Sequence, residues 1–215
     1  MNEPGPTEWS TGATHGVGPW EGPPPEDPRY DPELLARGDT RNVVDKYRYW
    51  SREAIVTDID RRRHRLHVAI ENFGNDANIG AVVRTANAFA VHTVHIVGRR
   101  RWNRRGAMVT DRYQRLVHHD DTAELLVFAR AAGLRVVAVD NVPGAVRLEQ
   151  TALPRDCLLL FGQEGPGISE AARTGADLTV SIAQFGSTRS INAGAAAGIA
   201  MHCWIRQWAD LSQAW

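Results

Sequence analysis

An α/β domain with a mainly parallel sheet and helices on both faces is the fold class this sequence predicts. From Leu66 onward, short apolar runs of strand length alternate with longer segments of helical pattern. The run Cys157-Leu158-Leu159-Leu160-Phe161 is apolar throughout, as a strand covered on both faces must be. The domain boundary comes from a third observation. The first 28 residues hold seven prolines and five glycines without hydrophobic periodicity, which predicts a disordered tail over residues 1–30. An N-terminal arm over 31–62 and the α/β domain over 63–215 complete the division.

The arm is weakly helical from Asp31 to Thr57, with Tyr47, Tyr49 and Trp50 available for packing. Within the domain, Leu66–Ile70 reads as a strand, Asn78–Ala90 as a helix and Thr93–Val97 as a strand. A helix over Thr122–Ala132 precedes a strand over Leu134–Val139. The all-apolar strand Cys157–Phe161, a strand over Leu178–Ile182 and a long closing helix over Asn192–Trp208 follow. The pattern contains no internal repeat.

The chain has 215 residues, with 25 Lys and Arg against 25 Asp and Glu. The cancellation is uneven along the sequence. Before Arg29 there are five acids and no base, so the tail carries −5 and the remainder +5. Nearly all the positive charge is arginine, with Lys46 the sole lysine; arginine is the better planar, bidentate phosphate ligand. Cys157 and Cys203 sit in apolar runs without metal spacing and read as reduced core thiols. The sequence start lacks the basic and apolar regions of a signal peptide. The most apolar stretch, Ile191 to Ile205, is too short to span a bilayer. These features predict a cytoplasmic protein without membrane attachment.

In parallel sheets ligands bind beyond the carboxyl ends of the strands, and three strand-end segments have unusual chemistry. The first runs from Glu71 to Ala86, where Asn78 or Asp76 can cap the following helix. Arg84, set among Ala81, Val82, Val83 and Ala86, needs either a partner or solvent. The second is Gly162-Gln163-Glu164-Gly165-Pro166-Gly167-Ile168-Ser169, whose glycines allow close backbone approach to a ligand or simply a tight turn. It lacks the Gly-Lys-Ser/Thr of a phosphate-binding loop. The third, Ala183 to Asn192, leads into a helix with a small-residue face of Gly194, Ala197 and Gly198, which allows a second helix to pack close. Ser190 or Asn192 stands at its N-terminus.

Taken together and in order, Asn-(x5)-Arg-Thr-Ala, Phe-Gly-x-Glu-Gly-x-Gly-Ile-Ser and Ser-Ile-Asn resemble the SpoU/TrmH family of RNA ribose 2′-O-methyltransferases, in the SPOUT superfamily. The resemblance covers about residues 66–208. It implies a C-terminal segment tucked into a deep trefoil knot, S-adenosyl-L-methionine as methyl donor, a homodimer that completes the active site, and structured RNA (tRNA or rRNA) as substrate. The matched positions imply catalytic roles for Arg84, Asn78, Glu164, Ser190 and Asn192. They imply donor contacts at Gly162, Gly167, Ile182, Gln184 and Ile191. Two departures lie beside the implied donor pocket: Ile182-Ala183-Gln184 where the family usually has Ile-Pro-Met, and Asn192-Ala193-Gly194 where it often has Asn-Val-Ser. The helical C-terminal extension common in tRNA-specific members is not expected here.

Methyl transfer to a hydroxyl needs alignment of oxygen, carbon and sulfur and removal of one proton, with no metal. Arginine is a poor base, so Arg84 is assigned to gripping a phosphate and lowering the hydroxyl pKa by its charge; a base role stays open. Asn78, Ser190 and Asn192 would orient the hydroxyl and Arg84, and Glu164 would anchor Arg84 or the loop. For RNA contact, two arginine runs stand out: Arg61, Arg62 and Arg63, and then Arg99, Arg100, Arg101, Trp102, Arg104 and Arg105, with a tryptophan suited to stacking. The odd spacing of His64/His67 and His92/His95 on strands places their side chains on opposite faces, against a zinc site. A non-catalytic RNA-binding member of the fold, or an α/β enzyme using another nucleotide cofactor, are the alternatives.

Overall fold

In the computed structural model, which describes residues 16–98 and 101–213, the chain divides into one unit ending at Asp58 and another beginning at Ile59. The first contains helix α1 (Pro32–Arg37), whose N-cap Asp31 accepts the Glu33 and Leu34 N–H groups. Helix α2 (Arg52–Asp60) follows, its last residues leading into the second unit. The first fifteen residues of the expected tail lie outside the described residues. From Gly16 the chain is held by contacts within the first unit. Val17 and Asp39 exchange backbone hydrogen bonds at 2.9 Å. Trp20 stands edge-on to Tyr30 and Tyr49, and the Tyr49 hydroxyl donates to the Gly18 carbonyl at 2.7 Å. The aromatics flagged in the arm are therefore used inside this unit, with Arg29 stacked 4.2 Å from the Trp50 ring centre.

The second unit is a seven-stranded sheet in the order β3-β2-β1-β6-β4-β7-β5, parallel throughout. Its strands are β1 (Leu66–Glu71), β2 (Thr93–Val97), β3 (Leu116–His119), β4 (Arg135–Val139), β5 (Val146–Arg147), β6 (Cys157–Phe161) and β7 (Leu178–Ser181). The sequence pattern missed β3 and β5. Both are edge strands, short and partly or fully exposed, so neither carries an apolar run. Central β6 shows why its sequence is wholly apolar. Cys157, Leu159 and Phe161 enter the cluster on the face of helices α3 (Asp76–Ala88) and α6 (Ala193–Trp208). Leu158 and Leu160 enter the opposite cluster, beneath α4 (Thr122–Ala131) and α5 (Glu170–Gly175).

Helix α3 is capped by Asn75, whose Oδ1 accepts the Ala77 N–H at 2.9 Å, and not by Asn78 or Asp76. Asn78 is instead a buried residue of the first turn. The small-residue face of α6 meets α3 as expected, for a Cβ on Gly194 would lie 3.2 Å from that of Ala81. On its other side α3 packs on the 3₁₀ turn Arg104–Ala107. A Cβ on Gly80 would fall 2.4 Å from the Gly106 carbonyl carbon, so the two backbones touch. Among the described residues no helix is long and apolar enough to cross a membrane.

Under α4 a row of histidines crosses three strands. His67 Nδ1 hydrogen-bonds His95 Nε2 at 2.9 Å, and His95 Nδ1 bonds His119 Nε2 at 2.8 Å, linking β1, β2 and β3. Phe128 packs on all three rings, and His92 stacks on His67 at 4.6 Å. The expectation of opposite faces holds for His64, whose ring lies against Trp204 of α6, and His67, whose ring lies against Phe128 of α4; it fails for His92, which precedes β2 and stacks on His67 beside His95. Spacing within one strand says nothing of the neighbour across the ladder, where His67 and His95 meet diagonally. Both ring nitrogens of His95 are taken up in these two bonds.

Each link needs one N–H and one lone pair, which neutral imidazoles supply. Burial pushes the His67 pKa down to about 4 and His95 down to about 2, helped by the neighbouring imidazoles. A depressed histidine pKa means the unfolded chain binds the extra proton first. The row's stability is therefore complete above pH 6.5 and lost as pH falls. For His67 the loss reaches about 3 kcal/mol by pH 4. Thermal unfolding followed between pH 7 and 4 is expected to show a falling midpoint, and His67→Phe a flatter profile.

Candidate functional site

The carboxyl ends of β1, β4, β6 and β7 open into one cavity of about 500 Å³, lined by Asn78, Gly162, Glu164, Gly167, Ile182, Gln184, Ser190, Ile191 and Asn192. All nine were expected site residues, brought together from three segments of sequence. Val139 and Phe161, the last residues of β4 and β6, add apolar wall, while Asp140 and Asn141 add polar groups. The glycine loop folds back on itself, with Gln163 and Gly167 exchanging backbone hydrogen bonds at 2.9 Å. A Cβ on Gly162 would lie 2.1 Å from the Gly167 carbonyl carbon. Gly167 has φ +80°, and its Cβ would meet the Asp140 carboxylate at 2.4 Å. Backbone therefore forms this wall at both positions.

One hydrogen-bonded relay crosses the site. Asn192 caps α6, its Oδ1 accepting the Ala195 N–H at 3.0 Å. That choice turns its Nδ2 outward to donate to Asn78 Oδ1 at 2.9 Å. Asn78 Nδ2 in turn donates to Glu164 Oε1, and Glu164 Oε2 accepts the Gly74 and Asn75 N–H groups at 2.7 and 3.0 Å. Each amide orientation follows from the one before it. An amide nitrogen carries two N–H groups, so Asn78 and Asn192 each keep one beyond the relay.

Arg84 stands apart. It is exposed on α3, does not line the cavity, and has no hydrogen-bond or ion-pair partner among the described residues. Glu164 therefore anchors the β1–α3 loop, and neither it nor the two asparagines orients Arg84 within the chain.

The first arginine run also needs a correction. Arg61 and Arg62 are exposed, but the Arg63 side chain is 1% exposed and donates to Asp60, the Val91 and Tyr113 carbonyls and Gln114. Those bonds remove it from any RNA surface. In the second run, Arg99 and Arg100 lie outside the described residues, and Arg101 and Arg105 are exposed. Arg104 is exposed and pairs with Asp111 at 3.3 Å. Trp102 is half-buried against the core with Arg104 at 5.9 Å from its ring centre, so it is less free to stack than its sequence suggests.

The sequence reading passed over Glu71, which is 1% exposed at the end of β1. Its Oε1 accepts the Thr122 and Ser169 hydroxyls and its Oε2 the Ser169 N–H at 2.9 Å. This carboxylate fixes the far end of the glycine loop, where Ser169 caps α5. A buried acid after an apolar strand was the available signal. Replacing Glu164 by glutamine puts an NH₂ group against either the Gly74 and Asn75 N–H groups or the Asn78 amide. Asn78 cannot turn to compensate without losing Asn192. Glu164→Gln is expected to cost about 1 kcal/mol and to speed hydrogen exchange at the Gly74 and Asn75 amides.

Residues 65–202 match the model of the SpoU rRNA Methylase family. Among curated proteins, the chain is similar to the tRNA (guanosine(18)-2′-O)-methyltransferase of Escherichia coli K12, 27% identical over 145 residues. That match covers 66% of this chain and 63% of the relative. An uncharacterized tRNA/rRNA methyltransferase of Mycolicibacterium smegmatis is 35% identical over 144 residues, covering 63% of this chain and 45% of the relative. The chain thus spans less than two thirds of these relatives' lengths. Among solved structures, the SpoU methyltransferase AviRb from Streptomyces viridochromogenes, in complex with the cofactor AdoMet, superposes with a TM-score of 0.61 at 28% identity. It covers 67% of this chain and 58% of its own. With residues from all three strand-end motifs on one cavity and the family model spanning most of the second unit, the chain belongs to the SpoU rRNA methylase family.

Proposed function

We propose that this protein transfers a methyl group from S-adenosyl-L-methionine to a ribose 2′-hydroxyl of structured RNA, a tRNA or rRNA, as a cytoplasmic homodimer. The observation that carries this reading is the Asn192–Asn78–Glu164 relay at the mouth of a glycine-walled cavity. The residues present suit the donor. A cavity of about 500 Å³ lies within the roughly 300–1,000 Å³ of small-molecule sites. Gly162 and Gly167 leave backbone where any side chain would intrude. Ile182 and Ile191 offer apolar wall, and Gln184 a polar edge. When bound, the donor supplies an electrophilic methyl group on a sulfonium.

The protein's own residues do the positioning. The spare amide N–H groups of Asn78 and Asn192, with the Ser190 hydroxyl, hold the ribose oxygen in line with that methyl group. Arg84 contributes a fixed positive charge that grips the neighbouring phosphate and favours release of the hydroxyl proton to water as the sulfur–methyl bond breaks. The position of Arg84 outside its own chain's cavity supports a site completed across two copies, Arg84 serving the partner's cavity. Ile199 and Trp208 on α6, 45% and 42% exposed, offer apolar surface for such a pairing. Threading of the segment after β7 as a trefoil knot accords with the strand order, in which β6 lies between β1 and β4, and β7 between β4 and β5. Arg61, Arg62, Arg101, Arg104 and Arg105 form the RNA-facing charge.

Arg84→Ala is expected to lower methyl transfer by about 10²–10³-fold while calorimetry shows donor affinity unchanged; loss of both together removes the assigned role. Co-expression of Arg84→Ala with Gly162→Val tests the shared site. Random pairing leaves about a quarter of the sites intact if each is built from two copies. Activity near zero in that mixture means that each chain uses its own Arg84.

A further inference from the structure

The loop from Ala183 to Asn192 carries two side chains that the methyltransferase reading leaves unused. Phe185 is 98% exposed, although it follows directly on the cavity-lining Gln184. Arg189 is exposed and its guanidinium has no partner among the described residues, although it directly precedes cavity-lining Ser190. The loop is held at both ends. The Ala183 N–H donates to Glu149 Oε1 at 2.9 Å, and Asn141 Nδ2 donates to the Arg189 carbonyl at 3.3 Å. Between those pins Phe185 to Arg189 all face solvent. A phenylalanine held in solvent at the rim of the cavity has surface to offer a partner.

We propose that Phe185 and Arg189 contact the RNA strand beside the target nucleotide, Phe185 as a stacking platform for an unpaired base and Arg189 as a ligand of the adjoining phosphate. The inference rests on the methyltransferase reading and adds to it a determinant of which RNA is accepted. The neighbours of Phe185 favour a nucleic acid over a second protein surface. Gly186, Ser187, Thr188 and Arg189 are small, polar or charged, whereas the centre of a protein interface gathers several apolar side chains. One aromatic face beside one guanidinium matches one base beside one phosphate. Single-stranded or splayed RNA, rather than intact duplex, is the form that presents such a pair.

The test measures methyl transfer from tritiated S-adenosylmethionine to total RNA of cells lacking this protein. It compares the full chain with Phe185→Ala, Phe185→Leu, Phe185→Trp and Arg189→Gln. Loss of one stacked base corresponds to a roughly five- to 150-fold rise in KM for RNA, expected for both the alanine and leucine variants. Tryptophan is expected to stay within about twofold of wild type. Arg189→Gln should reduce the slope of log affinity against log salt by about one. Donor affinity by calorimetry and mass by light scattering should not change. An unaltered KM in Phe185→Leu overturns the proposal. So does a halved mass in Phe185→Ala, which would mean that a second copy covers the ring. Wild-type protein that transfers nothing to RNA overturns the methyltransferase reading and this inference with it.

Discussion

The capping bond from Asn192 to the Ala195 N–H is the constraint on which the site depends. It is an ordinary helix cap, yet it sets the direction of every hydrogen bond after it. With its oxygen committed to α6, Asn192 can only donate to Asn78; Asn78 can then only donate to Glu164. Glu164 ends the sequence by accepting two backbone amides of the β1–α3 loop. Three segments separated by 86 and 114 residues are thereby locked into one geometry. The parallel sheet makes this possible, because β1, β6 and β7 all end on the same edge.

The rest of the fold keeps that edge rigid. Glu71, at the end of β1, gathers Thr122 and Ser169 and so ties α4 and α5 to the strand next to the site. Gly80 against Gly106, and Gly194 against Ala81, bring backbone and helices closer than larger residues would permit. Further along the sheet, the histidine row supplies polar cohesion across β1, β2 and β3. Buried polar groups of this kind stabilise only while every partner is in the right protonation state. The same layer is thus firm at neutral pH and vulnerable to acid.

Charge follows a different logic from packing. The chain is neutral only because an acidic start offsets an arginine-rich remainder. Within that remainder the arginines separate by role. Arg63 is consumed in holding the ends of neighbouring strands, whereas Arg84, Arg101 and Arg105 keep their guanidinium groups at the surface. Under the proposed function the surface set meets the phosphates of RNA and the buried cavity meets the methyl donor. The loop between β7 and α6 contributes Gln184, Ser190, Ile191 and Asn192 to the cavity wall.

Periodicity located five of the seven strands and all the long helices, since each buries a face that must be apolar and leaves a run of matching length. The motifs, through the family they resemble, implied a shared site for Asn78, Gly162, Glu164, Ser190 and Asn192, and all five line one cavity. What the linear pattern could not carry were relations across the fold. The short edge strands β3 and β5 bury too little to leave a run. The meeting of His67 with His95 depends on the register of β1 against β2. Arg63 and Arg84 look alike as letters, and only the surrounding backbone carbonyls and the open face of α3 tell them apart. The sequence by itself determined the layers, the strand-end chemistry and the family. Tertiary structure decided which polar groups satisfy one another, because a hydrogen bond depends on distance and direction in space rather than on separation along the chain.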